Sequence, residues 1–180
     1  MRRQQMWAVA LAVAALGVLP ACKTTSSEDL KNSFEVVDHR TSWVSTFYQA
    51  WPPRLKLAPQ IVFRVKNISD KPLTYVNFNA TFVSKDDQKN LGDALLAAIR
   101  GKALGPGEIS DEIVLKCNSS VEGKNKQDFL TNPGWEPYQV KLFAQSRGSL
   151  PVLIAIFEVS RDIDFEEDEP VGEVKKGTGN

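Results

Sequence analysis

The sequence predicts an all-β domain, an antiparallel β-sandwich of about seven short strands, and three observations carry that prediction. In "QIVFRVKNIS", Ile61, Phe63 and Val65 alternate with Val62, Arg64 and Lys66, so one face is set inward and the other mostly toward water. "LTYVNFNATFVS" repeats the pattern, with Val76, Phe78, Ala80 and Phe82 set against Tyr75, Asn77, Asn79 and Thr81. Turn-forming clusters, "NISDKP", "ALGPGEIS" and "RGS", fall between such runs at the spacing expected of short strands in a sandwich.

Taken from the N-terminus, the chain of 180 residues opens with Arg2 and Arg3, an apolar run from Met6 to Leu19, then Ala21 and Cys22. This is the order of a secretory leader: a charged region, an apolar region and a small-residue cleavage site over residues 1–21. The run falls short of the ~20 apolar residues that a spanning helix needs. Leu19-Pro20-Ala21-Cys22 resembles the lipobox of bacterial lipoproteins, with Pro20 standing where a small or β-branched residue is usual. The resemblance implies that cleavage leaves Cys22 as the N-terminus and that its sulfur carries a diacylglyceryl group. The membrane is then a partner through that lipid: each buried methylene contributes ~0.8 kcal/mol, so one acyl chain holds marginally and two or three hold durably. By the same resemblance Lys23, where retention in the inner membrane uses Asp, favours the outer membrane of a two-membrane cell, facing the periplasm.

Residues 22–33 are polar and rich in Ser and Thr without apolar periodicity, and read as a flexible tether of roughly 20 Å. The sandwich is expected over 34–163. Its first strand lies within "SFEVVDHRTSWVSTFYQAW", and the two alternating runs that follow, joined by "NISDKP", are expected to form a hairpin. "NLGDALLAAIRG" is helical by propensity, yet an edge strand is what a sandwich would place there; the strand is the reading adopted, with the helix as its alternative. "EIVLKC" and "YQVKLFAQS" are further strands, and "LPVLIAIFEVS", apolar on both faces, is expected to be central in its sheet. Residues 164–180, acidic and then rich in Gly and Lys, read as a disordered tail.

The block 61–117 resembles the FxLYD and related immunoglobulin-like domains of bacterial envelope proteins. Val65-Lys66-Asn67, Tyr75-Val76-Asn77-Phe78 and Leu104-Gly105-Pro106-Gly107-Glu108 stand at the places of that pattern, although the literal FxLYD string is absent. The resemblance implies an immunoglobulin-like sandwich used for adhesion or assembly, without chemistry of its own.

Charge and composition exclude several classes. With Arg2 and Arg3 removed, Lys and Arg fall from 22 to 20 against 22 Asp and Glu, too even a balance for the basic footprint that nucleic acid requires. His39 is the only histidine, and next to Asp38 in a strand it would point to the opposite face, which does not build a nucleophile–His–carboxylate relay. One His and one free Cys cannot supply a zinc site, and the acidic run from Asp162 has Glu167 where a calcium loop needs Gly. No cofactor is expected and no catalytic residue is nominated. Cys117, unable to pair with a lipidated Cys22, is expected buried on a strand's core face. The three Asn-x-Ser/Thr segments, at Asn67, Asn79 and Asn118, are read as chance.

Two stretches suit a partner. "NSSVEGKNKQDFLTNPGWEP" is long for a loop and carries Phe129, Leu130 and Trp135; either these fold back to cap the sandwich or they make contacts. "SWVSTFYQAWPP" holds Trp43, Phe47, Tyr48 and Trp51 within nine residues. Because aromatic groups commonly anchor interfaces, Trp51, Phe129 and Trp135 are the candidate contact residues. The expected function is that of a lipid-anchored, non-catalytic binding or assembly module of the cell envelope with an envelope protein as partner. The alternatives are an accessory subunit of an envelope transport or secretion complex, or a small-molecule-binding or hydrolytic protein.

Overall fold

The computed structural model describes residues 26–133 and 135–165. They form the expected all-β sandwich of two sheets. In chain order the elements are helix α1 (Ser27–Lys31), β1 (Phe34–Gln49), β2 (Arg54–Asn67), β3 (Leu73–Ser84), β4 (Asn90–Leu104), β5 (Ile113–Lys116), β6 (Val121–Gly123), helix α2 (Lys126–Thr131), β7 (Tyr138–Ser146), β8 (Val152–Glu158) and β9 (Ile163–Asp164). One sheet has the order β5-β2-β1-β9, with β6 also paired to β2; the other has the order β4-β3-β7-β8. All pairings are antiparallel except β9, which runs parallel to β1 at Trp43 and Val44. Two more strands form among the described residues than the seven or so expected, because β6 and β9 are fragments of three and two residues without a pattern of their own.

The two alternating runs behave as read on their inward faces: Ile61, Phe63 and Val65 of β2, and Phe78, Ala80 and Phe82 of β3, are wholly buried. They do not form a hairpin. β2 and β3 belong to opposite sheets, and the rings of Phe63 and Phe78 meet edge to face at 5.3 Å across the core. Alternation says that a strand has an inner face, but not whether its chain neighbour lies beside it or opposite it; "NISDKP" is an arch between layers.

Residues 90–104 form a strand. Ten register pairs with β3 hold it there, and Ile99 is buried, so the ladder and core override the helical propensity of its Ala and Leu residues. β8 corrects a further expectation: it is the edge of its sheet, and Leu153 and Ile156, on its outer face, are exposed. Apolar character on both faces of this strand therefore reflects one half-buried face packed on the core and one uncovered apolar face.

The tether reading of 22–33 is also corrected from Ser26 onward, with 22–25 outside the described residues. Ser26 caps α1, its Oγ accepting from the Asp29 amide at 3.0 Å, and Glu28 and Asp29 occupy the first turn where the helix dipole favours them. Leu30 plugs the core beneath. One apolar residue in a five-residue helix leaves no periodicity to read. The tail expected over 164–180 lies outside the described residues from 166; Asp164 belongs to β9, and Phe165 packs on Tyr48.

The sandwich has two distinct ends. At one lie α1, the 68–72 arch, the 147–151 turn and the 105–112 connection: Ile68 donates its amide to the Ser33 carbonyl at 3.0 Å, Ser27 Oγ donates to the Leu150 carbonyl at 2.9 Å, and the Asn67 amide donates to the Glu108 carbonyl at 2.9 Å. At the other, the β1–β2 hairpin reaches beyond the facing sheet, whose last pair, Ser84 and Tyr138, stands at the level of Trp43. The buried side chains of Leu55 and Leu57 on this overhang share a core cluster with Phe129 of α2 and with Trp135, while β6 pairs alongside β2 at the same level.

Candidate partner-binding surfaces

Cys22 lies outside the described residues. Of the three aromatic residues nominated as contacts, the structure separates one from two. Trp51 stands at the tip of the β1–β2 hairpin, 86% exposed, in a turn whose Trp51–Pro52 peptide is cis. The hairpin beneath it is braced. Gln49 Nε2 donates to the Trp51 carbonyl at 3.0 Å, and Arg54 donates to both carboxylate oxygens of Glu122 on β6, at 2.6 and 2.9 Å. Lys56 adds a third contact to Glu122 at 3.4 Å. The Arg54 guanidinium also lies over the half-exposed ring of Phe47, 5.8 Å from its centroid. The hydrogen bond from Arg54 holds the Glu122 carboxyl below its ordinary range, and the pairing raises Arg54 in turn.

Phe129 and Trp135, each 6% exposed, are core residues and not surface contacts. Trp135 stacks edge to face on Trp43 at 5.3 Å and on Phe129 at 5.8 Å, with Tyr138 a further 5.5 Å neighbour of Trp43. Asn125 caps α2 through its Oδ1, accepting from the Asp128 amide at 2.8 Å, and so aims Phe129 inward. Gly123 makes room for it, since a Cβ there would meet the Phe129 ring at 2.8 Å. The long 117–137 connection exists because the overhanging hairpin has an apolar inner face with no strand opposite. Its aromatic residues supply that cover. Arg161 fixes Trp135 from outside, donating to its carbonyl at 2.8 Å. The indole Nε1 is buried with no hydrogen-bond partner among the described residues, between clefts of about 360 and 430 Å³.

A second surface escaped the sequence reading. Along the edge strand β4, a groove of about 400 Å³ opens between the sheets, lined by Leu96, Ile99, Glu108, Ile109 and Ile113 among others. Leu96 and Ile109 are exposed at its mouth. The groove arises because β4 and β5 are the edges of opposite sheets, a relation that no local pattern records.

The remaining candidate chemistry lies elsewhere. A bulge in β1 between Val37 and Arg40 turns the His39 ring onto Phe157 of β8, with centroids 4.2 Å apart. Cys117 is buried one residue past β5, its amide donating to the Pro59 carbonyl at 2.9 Å, and burial pushes the thiol up. Among the described residues no three His, Cys, Asp or Glu side chains gather as a metal site, and no helix is long and apolar enough to cross a membrane.

No family model matches the sequence, and no curated protein matches it. Among solved structures the chain is similar to β-glucuronidase 2 of Bacteroides uniformis (14% identity, TM-score 0.42), with 67% of this chain and 12% of that one covered. A β-glucuronidase of glycoside hydrolase family 2 matches at 9% identity and TM-score 0.37, covering 66% of this chain and 10% of that one. The ApaA protein of Bordetella pertussis matches at 14% identity and TM-score 0.37, covering 71% of this chain and 93% of that one. The chain thus spans about a tenth of each glucuronidase.

Proposed function

We propose that this chain is a lipid-anchored envelope protein, held by Cys22 on the periplasmic face of an outer membrane, which binds an envelope protein through the hairpin tip at Trp51. The observation that carries the reading is Trp51 itself. A large aromatic side chain, almost fully exposed on a hairpin braced by Arg54 and Glu122, is a preorganised anchor that loses little freedom on binding. The tip is at the opposite end of the sandwich from α1. In-cell photocrosslinking from position 51, read by mass spectrometry beside a Cys22→Ser control, tests the proposal. One dominant protein adduct that disappears in the control supports it and names the machine, an accessory role in transport or secretion included. Adducts with only abundant envelope proteins in both samples would overturn it.

The groove beside β4 favours a second reading, in which an extended peptide adds to that edge and places apolar side chains between the sheets. Crosslinks from position 96 in place of 51 would select it.

A further inference from the structure

We infer that the α1 end of the sandwich is a membrane-contact surface, whose exposed Leu150, Ile68 and Ile109 enter the headgroup region of the bilayer that holds Cys22. The inference rests on the Cys22 anchor proposed above and adds to it a defined, end-on orientation.

The first ground is distance. Three residues stand between Cys22 and Ser26, so the four steps between their Cα atoms span at most about 14 Å whatever path they take. Ser26 is the cap of α1, and Ser27 is hydrogen bonded to the Leu150 carbonyl. Leu150 is therefore confined near the lipid. The second ground is where apolar side chains are exposed. Among the described residues outside helices and strands, the large exposed apolar groups are Trp51, Ile68, Ile109 and Leu150. Trp51 is at the far hairpin. The other three, at 54%, 52% and 78% exposure, flank the α1 end. Ile68 is tied to Ser33, while Ile109 bridges Lys66 beside the Asn67 turn, and Leu150 sits in the β7–β8 turn. Loops facing water are usually polar; these present branched apolar tips at the level where a bilayer surface must lie.

Charge decides the mode of contact. Exposed Lys31, Lys71 and Arg147 stand at this end, and exposed Glu28, Asp29, Asp70, Glu108 and Asp111 more than offset them. Charge therefore supplies no net attraction to anionic headgroups, and apolar insertion is the driving term. The contact is accordingly not weakened by salt.

The test uses the full chain purified from membranes and reconstituted into phosphatidylethanolamine and phosphatidylglycerol vesicles. Single cysteines are introduced as Leu150→Cys, Ile68→Cys or Trp51→Cys and carry a nitroxide label. The unsubstituted chain, whose Cys117 is buried, is the control for labelling at that residue. Mass spectrometry of the Cys22 peptide is run on every sample. The expected result is that labels at 150 and 68 collide several-fold more with oxygen, relative to a water-soluble nickel chelate, than the label at 51, and no less so in high salt. If 150 and 68 match 51 while Cys22 carries acyl chains, the anchor stands and the contact surface is refuted. If Cys22 from the membrane fraction carries no acyl chain, the anchor reading fails and this inference falls with it.

Discussion

Asn67 does more than occupy a turn. Its Nδ2 donates to the carbonyls of Lys71 and Leu104 at 2.8 and 2.9 Å, and its Oδ1 accepts from the Ser69 amide and hydroxyl at 2.9 and 2.8 Å. Its backbone receives the Gly107 amide and gives to Glu108. One buried side chain thus ties the arch after β2 to the end of β4 and to the turn where Gly107 takes φ +76°. Asn67→Ala takes its side-chain donor from the buried Leu104 carbonyl and one of two partners each from the Lys71 carbonyl and the Ser69 amide, and should cost about 1–3 kcal/mol, measured by urea denaturation. The two tryptophans should part company. Trp135→Ala should destabilise by about 3–5 kcal/mol. Trp51→Ala should shift stability by no more than about 0.5 kcal/mol while abolishing the crosslinked partner complex. The sequence marks Asn67 as a turn former and marks both tryptophans as large aromatics near prolines. It does not record what lies opposite each, and opposition is what makes one a clamp, one a core residue and one a tip.

At the scale of elements, inward faces were legible and neighbours were not. Alternation in β2 and β3 gave the buried residues correctly because burial is a property of one strand. The arch between them, the edge position of β8 and the groove beside β4 are properties of pairs. β6 is the sharpest case: three residues long, it carries Glu122, on which the hairpin brace depends. Because Arg54 lowers the Glu122 carboxyl relative to the unfolded chain, the brace contributes above the ordinary carboxylate range and is lost as pH falls through the lowered folded value. Protection of the amides in the 47–56 hairpin, taken relative to the intrinsic exchange rate at each pH, should therefore fall on acidification in the native chain. In Glu122→Gln it should already be low at neutral pH and change less. Equal pH dependence in the two chains would show that the brace is idle.

At the scale of the whole molecule, both sheets share a single core from Leu30 to Ile163, so no strand layer can open alone. Cys117, buried in that core, should react with a thiol reagent only at the rate of global unfolding, and its protection should fall with urea in step with the spectroscopic transition. Its thiol would be caught at one rate, not two. The length of β1 has a mechanical consequence. Its 16 residues run about 50 Å from the α1 end to the foot of the Trp51 tip. A pull between the proposed anchor and the proposed tip partner would run along this strand, through a backbone that is already extended. The hydrogen bonds to β2 lie across that line, so such a pull does not peel them one by one. Under those two proposed attachments the domain would behave as a stiff strut with almost no length to give.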